Sequence, residues 1–187
     1  MHNRINSRII RPAIAAAAVT LLLTVTTASA TTVLYLPLEE EAKTAGLVVV
    51  AVAGQQSAAV DDGRGLICTT TEFRVEQWVK GGGGSTVRTR QLGGEVGDIG
   101  QSVAGSPVFR TGRRYVLFLE PMDGGAYRVV GFSQGAYPVV AVDGGKRKVL
   151  PSLASAGGVR LVGAGEGAAT AAQPLEEFLA RVKKLVE

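Results

Sequence analysis

The chain has 187 residues, 25 of them glycine, with 46% hydrophobic and 19% charged residues and a formal net charge of +4. That hydrophobic content excludes a disordered chain, which lacks the apolar surface to form a core. A single cysteine and a single histidine exclude an intrachain disulfide and the usual His/Cys zinc sites.

The first thirty residues read as a targeting segment. Arg4, Arg8 and Arg11 give a cationic start, an apolar run follows from Ala13 to Val25, and Ala28-Ser29-Ala30 closes it. This order predicts a secretory signal peptide over 1–30, cleaved after Ala30 at the site marked by Ala28 and Ala30. The run falls short of the roughly 20 residues a transmembrane helix needs, so no membrane span is expected after cleavage. An uncleaved N-terminal anchor is the alternative. The expected location is exported, periplasmic or extracellular. Three of the 20 basic residues lie in this segment, which leaves 17 against 16 acidic ones and a net charge of +1. Cleavage also removes the only histidine, His2. Such a balance, with only Lys146-Arg147-Lys148 and the Arg110/Arg113/Arg114 group as basic clusters, points away from nucleic acid. Cys68, between Ile67 and Thr69, reads as a buried thiol, with intermolecular pairing as the alternative. No calcium loop of the D-x-[DN]-x-[DN]-G type occurs, and no metal or cofactor is expected.

Beyond residue 30, PLEEEAKTA (37–45) predicts a short helix: proline suits its first turn, the glutamates favour the positive end of its dipole, and Gly46 ends it. LVVVAVA (47–53) is a continuous apolar run of strand length, read as buried on both faces. Asp61 to Gly65 is a turn. From Ile67 to Lys80 the sequence alternates, with Ile67, Thr69, Thr71, Phe73, Val75 and Val79 on one side and Arg74, Glu76, Trp78 and Lys80 on the other. Gly81 to Gly84 terminates that strand. Thr86 to Leu92 predicts a third, with Arg88 and Arg90 sharing a face. A glycine-rich loop leads to strands at 114–120, 126–132 and 135–142, with a short one at 146–150 after Asp143-Gly144-Gly145. Residues 151–173 are small-residue-rich and read as a loop. PLEEFLARVKKLV (174–186) predicts an amphipathic C-terminal helix, with glutamates early and lysines late. Glycine punctuation between short β-branched runs predicts a mainly β domain over 31–150, followed by the loop and the terminal helix at 174–187.

Residues 131–135, GFSQG, match the G-x-S-x-G pattern that places a nucleophilic serine on a strand-to-helix turn. Such a serine needs a histidine base, and none follows residue 2. Both flanks, AYRVV and AYPVVAV, look β. The pentad is therefore expected as a bend between strands. A serine hydrolase at Ser133, with Lys146 or Lys148 as base, remains the enzymatic alternative.

The order of elements resembles the netrin-like version of the OB-fold, the barrel of tissue inhibitors of metalloproteinases and of exported bacterial proteins. Leu47–Gly54, Phe73–Gly81 ending in Lys-Gly, Gly93-Gly94, Gly112–Leu119 and Tyr127–Gly135 carry the likeness. The resemblance implies a five-to-six-stranded antiparallel OB-like barrel with a short N-terminal helix (about 37–45) and a C-terminal amphipathic helix (about 174–186). The animal inhibitors act through a cysteine at the mature N-terminus. Thr31 stands at that position in this chain, so protease inhibition is not implied.

These features point to an exported, non-enzymatic binding or interaction module, its partner an unidentified envelope or extracellular protein or ligand. A structural component of the cell envelope is the other alternative. Trp78 beside Arg74, with Arg88 and Arg90 on the next strand, forms the candidate contact patch. In the competing reading, the C-terminal helix or the opposite wall of the barrel covers Trp78.

Overall fold

The computed structural model describes residues 31–61, 63, 65–152, 159–163 and 171–187. Residues 1–30, with the expected cleavage site at Ala28 and Ala30, lie outside the described residues. The strongest local signals in the sequence form the centre of the fold. Strand β2 (Leu47–Asp61) extends the apolar run well past Ala53, up to the turn at Asp61, and pairs antiparallel with β3 (Leu66–Lys80) and β7 (Arg114–Pro121). Side chains alternate across a strand. Val49, Ala51 and Ala53 thus enter one apolar cluster with Phe73, Tyr115, Leu117 and Leu119, while Val48 and Val50 enter a second with Val116 and Phe118. This double burial is why the run in β2 carries no polar alternation.

Helix α1 (Leu38–Thr44) and helix α2 (Leu175–Val186) cover the second cluster, contributing Leu38, Ala42, Phe178, Leu179 and Val182. Tyr137 stacks against Phe178 at 5.0 Å and Phe118 at 5.6 Å. On the other side of β2, Phe73, Phe109 and Tyr115 meet edge to face, with Phe109 4.8 Å from Phe73 and 5.1 Å from Tyr115. Such aromatic geometry adds to the area each ring buries.

The main sheet holds eight strands, not the expected five to six. Its order is β12-β10-β9-β7-β2-β3-β4-β8, with β4 at Thr86–Leu92, β8 at Tyr127–Val129, β9 at Ala136–Ala141, β10 at Arg147–Val149 and β12 at Gln173–Pro174. The surplus arises because β7 uses one edge twice: Arg114–Leu117 pair with β9 and Leu119–Pro121 pair with β8. The β9 branch then carries β10 and β12 outward. On the other branch, β8 meets β4 through a single parallel pair, Thr89 with Tyr127. The pairing path β2–β3–β4–β8–β7 therefore returns to β2.

Two small sheets complete the fold. The glycine-rich loop after β4 contains a hairpin of β5 (Gly94–Val96) and β6 (Ile99–Gln101). Strand β1 (Thr31–Leu34) pairs in parallel with β11 (Val159–Val162), within the segment read from sequence as a loop. The two Asp-Gly-Gly segments make matching tight turns, closed by Met122 N–H to Ala126 O (2.9 Å) and Val142 N–H to Lys146 O (2.8 Å). Gly124 and Gly125 (φ 80° and 74°) and Gly144 and Gly145 (φ 76° and 74°) supply the two successive left-handed residues of each turn.

Candidate arginine face and the turn at GFSQG

Strand β3 positions the candidate contact residues, and it is not regular. Its pairing with β2 shifts register twice near its end, so that Val49 faces Trp78 while Ala51 faces Val75 and Ala53 faces Phe73. Cross-strand partners share a face. Since Val49, Ala51 and Ala53 face the inner cluster, Trp78 turns to that side too, where it packs half-buried against it. The bulges at Glu76 and Val79 turn Val79 toward the helix-covered cluster instead. Strict alternation puts both residues on the wrong faces. The Gly81–Gly84 loop lies over the indole: a Cβ at Gly83 would stand 3.2 Å from its ring. Trp78 is thus covered by its own loop and inner neighbours, and it does not join the arginines.

Arg74, Arg88 and Arg90 do come together on the outer face of β3 and β4. Arg88 is the direct partner of Glu72, Arg90 of Thr70 and Arg74 of Thr86. Arg90 Nη2 donates to Asp61 Oδ2 at 2.9 Å, and Asp61 Oδ1 accepts from Gly63 N–H at 2.9 Å, which fixes the β2–β3 turn. Arg90 also lines three adjoining grooves, of about 450, 240 and 280 Å³. The largest opens where β4 and β8 splay apart beyond Thr89–Tyr127, with Leu92, Met122 and Phe132 on its walls. The two smaller grooves run over Cys68 toward the turn at Met122–Ala126. Cys68 is a buried free thiol.

Along the same outer face, Glu76 collects arginines from three strands. Arg114 grips its carboxylate with Nε on Oε2 and Nη2 on Oε1 (2.8 Å), and Arg74 approaches to 3.5 Å. Hydrogen bonding from Arg114, followed by the charges of Arg114, Arg147 and Arg74, holds the Glu76 carboxyl below the usual carboxylate range.

GFSQG forms the β8–β9 connection, a strand–turn–strand arrangement and not the strand–turn–helix of a nucleophile elbow. Ser133 is 3% exposed; its N–H donates to Gly105 O at 3.0 Å and its carbonyl accepts from Ala136 N–H at 3.2 Å. The residue that matters most in the pentad was not singled out from sequence. Gln134 is buried and reads the N-terminal segment like a strand partner: Oε1 accepts from Leu36 N–H at 2.8 Å and Nε2 donates to Leu34 O at 2.9 Å. Phe132 precedes it at φ 62°, a left-handed backbone, with 52% of its surface exposed.

Sequence reasoning also missed a buried polar pair. Glu41 in α1 is 1% exposed, and its Oε2 accepts from Tyr137 Oη at 2.7 Å. Burial pushes the Glu41 carboxyl up to about 8, against the lowering effect of the tyrosine bond. The Tyr137 hydroxyl is raised too, by burial first and then by Glu41. The only sequence signal was a glutamate on the buried face of a helix with apolar neighbours.

Among the described residues no group of three or more His, Cys, Asp or Glu side chains could hold a metal, and no helix is long and apolar enough to cross a membrane. No protein-family model matches this chain, and no curated protein is similar enough to match it.

Proposed function

We propose that the protein is an exported, non-enzymatic binding module built on an OB-like barrel, with the outer face of β3 and β4 as its contact surface. The barrel reading rests on the closed path β2–β3–β4–β8–β7, in which the first, third and fifth strands meet their neighbours in the OB order and β4 and β8 run parallel. That order and the Lys-Gly ending of β3 support the resemblance to the netrin-like branch. One observation carries the functional reading: three grooves converge on Arg90, between the β2–β3 turn and the Met122–Ala126 turn. OB-like barrels bind ligands across this strand pair and the two loops that flank it. Ser133 contributes backbone bonds to a turn, which favours a module over a hydrolase.

Three experiments test the proposal. N-terminal sequencing of the exported product should begin at Thr31; a product that retains Met1 and stays in the cell defeats export. Affinity capture from an envelope extract should yield a partner with the wild-type chain and lose it with Arg88→Glu/Arg90→Glu. Equal capture by both proteins would remove this face from the reading. Labelling by a fluorophosphonate probe, abolished in Ser133→Ala, would replace the module with a hydrolase.

A further inference from the structure

We propose that the arginine cluster around Glu76 is a docking site for an acidic, carboxylate-bearing segment of a partner protein. This deepens the binding-module reading and rests on it, but it uses a different part of the outer face.

Charge stoichiometry comes first. Arg74 on β3 and Arg114 on β7 both reach one carboxylate, Glu76, and Arg147 on β10 stands opposite Ala141, two residues along β9 from Val139, the partner of Arg114. Three arginines on one face thus share one carboxylate, and two positive charges are in excess. At the β4 end of the same face the charges balance, Arg88 opposite Glu72 and Arg90 paired with Asp61. The excess is thus localised. The exposed carboxylates of the helices, Glu39 and Glu40 in the first turn of α1 and Glu176 and Glu177 in that of α2, are not among the partners of these arginines, and Glu39 pairs with Arg181.

Donor availability comes next. Arg74 reaches Glu76 only at 3.5 Å and its side chain is 65% exposed. Arg147 is exposed and makes no ion pair among the described residues. Both guanidiniums keep planar forks that match a carboxylate in two-point fashion. Arg74 and Arg114 are both register partners of Val52, so they flank β2 at about 10 Å, two strand spacings. The sheet holds them there; no loop has to order first. Finally, Glu76 shows the ligand chemistry the cluster accepts: it is a carboxylate, held in a fork by Arg114. It competes with an incoming carboxylate for the same cations.

The probe is a fluorescently labelled hexaglutamate peptide, titrated with the purified chain and followed by anisotropy. Binding is expected in dilute salt and should weaken at least tenfold at 1 M salt, where screening acts over about 3 Å. Arg74→Ser/Arg147→Ser, which leaves the Arg114–Glu76 pair in place, should weaken binding at least tenfold with an unchanged melting temperature. Glu76→Gln should tighten it threefold or more, a gain that a purely structural ion pair does not produce. Absence of binding by the wild type, or equal binding by the double variant, overturns the proposal. Binding of polyphosphate without hexaglutamate overturns it in favour of a phosphate polymer. Self-association abolished by the same double variant assigns the face to a second copy. If capture from the envelope extract succeeds while hexaglutamate fails, the module reading stands and this inference falls.

Discussion

Gln134 shows how much one buried amide can organise. It satisfies a backbone donor and a backbone acceptor about a hundred residues away, at Leu36 and Leu34, in a site that is 3% exposed. Gln134→Ala leaves both groups without a partner and should cost about 2–3 kcal/mol. Urea denaturation would register it as a lower midpoint with an unchanged slope. Its neighbour Phe132 points the other way. The left-handed backbone costs a non-glycine residue roughly 1–2 kcal/mol, while glycine brings an entropic penalty of about 0.5–1 kcal/mol. Phe132→Gly is therefore expected to leave the melting temperature unchanged or raise it. A clear fall would mean that packing of the ring in its groove outweighs the strain. From sequence, the pentad was legible as a bend because glycine flanks it and β-formers follow it. The role of Gln134 was not, since its partners are set by the long-range docking of residues 34–36.

At the scale of elements, β2 and β7 were legible because double burial leaves an unbroken apolar run. Helix α2 was legible because one face is buried and its charges follow the dipole. The end of β3 was not: a bulge leaves no mark on alternation, so Trp78 and Val79 each turn to the face opposite the expected one. The β9–β10–β12 branch was equally hidden, because the sequence of β7 does not reveal that it shares one edge between two strands. The Lys80-Gly81 ending of β3 has a physical account. Lys80 Nζ donates to Ala42 O (2.8 Å) and Ala45 O (2.6 Å), which closes the C-terminal end of α1. At φ 73°, Gly81 turns the chain where a Cβ would stand 2.5 Å from Leu47 Cδ2. Lys80→Met keeps the aliphatic stem and removes the donors; a loss of about 1–2 kcal/mol is expected, together with reduced helical ellipticity.

For the whole molecule, Glu41 makes stability depend on pH in an unusual direction. Its carboxyl titrates near 8 in the fold and near 4.5 when unfolded, so between those values the native state holds one more proton. Stability is then fully present below about pH 4.5 and is lost as pH rises through 8. The groups that bear on it are Tyr137, which donates to it, and Glu39, whose charge disfavours its ionisation, while Arg181 pairs with Glu39. Unfolding free energies from denaturant titrations between pH 5 and 9 should fall by up to about 1.4 kcal/mol per pH unit up to pH 8 and level off above it. Glu41→Gln keeps an acceptor for Tyr137 and should flatten the curve. A slope unchanged in that variant would place the titrating group elsewhere.

The bond between Gln134 and the segment at Leu34–Leu36 also sets a timetable for folding. Its ends lie 98 to 100 residues apart, and β2 reaches β7 only across a shorter but still long stretch, from Leu47 to Leu119. Contacts of such range form slowly, since the intervening chain has to close first. Until residue 134 is available, residues 34–36 lack their amide partner, and the edge of β2 that takes β7 closes only once residue 119 has joined it. A chain emerging in order keeps this segment loosely held for most of its length, and Gln134 of GFSQG is one late catch, with β11 joining β1 later still.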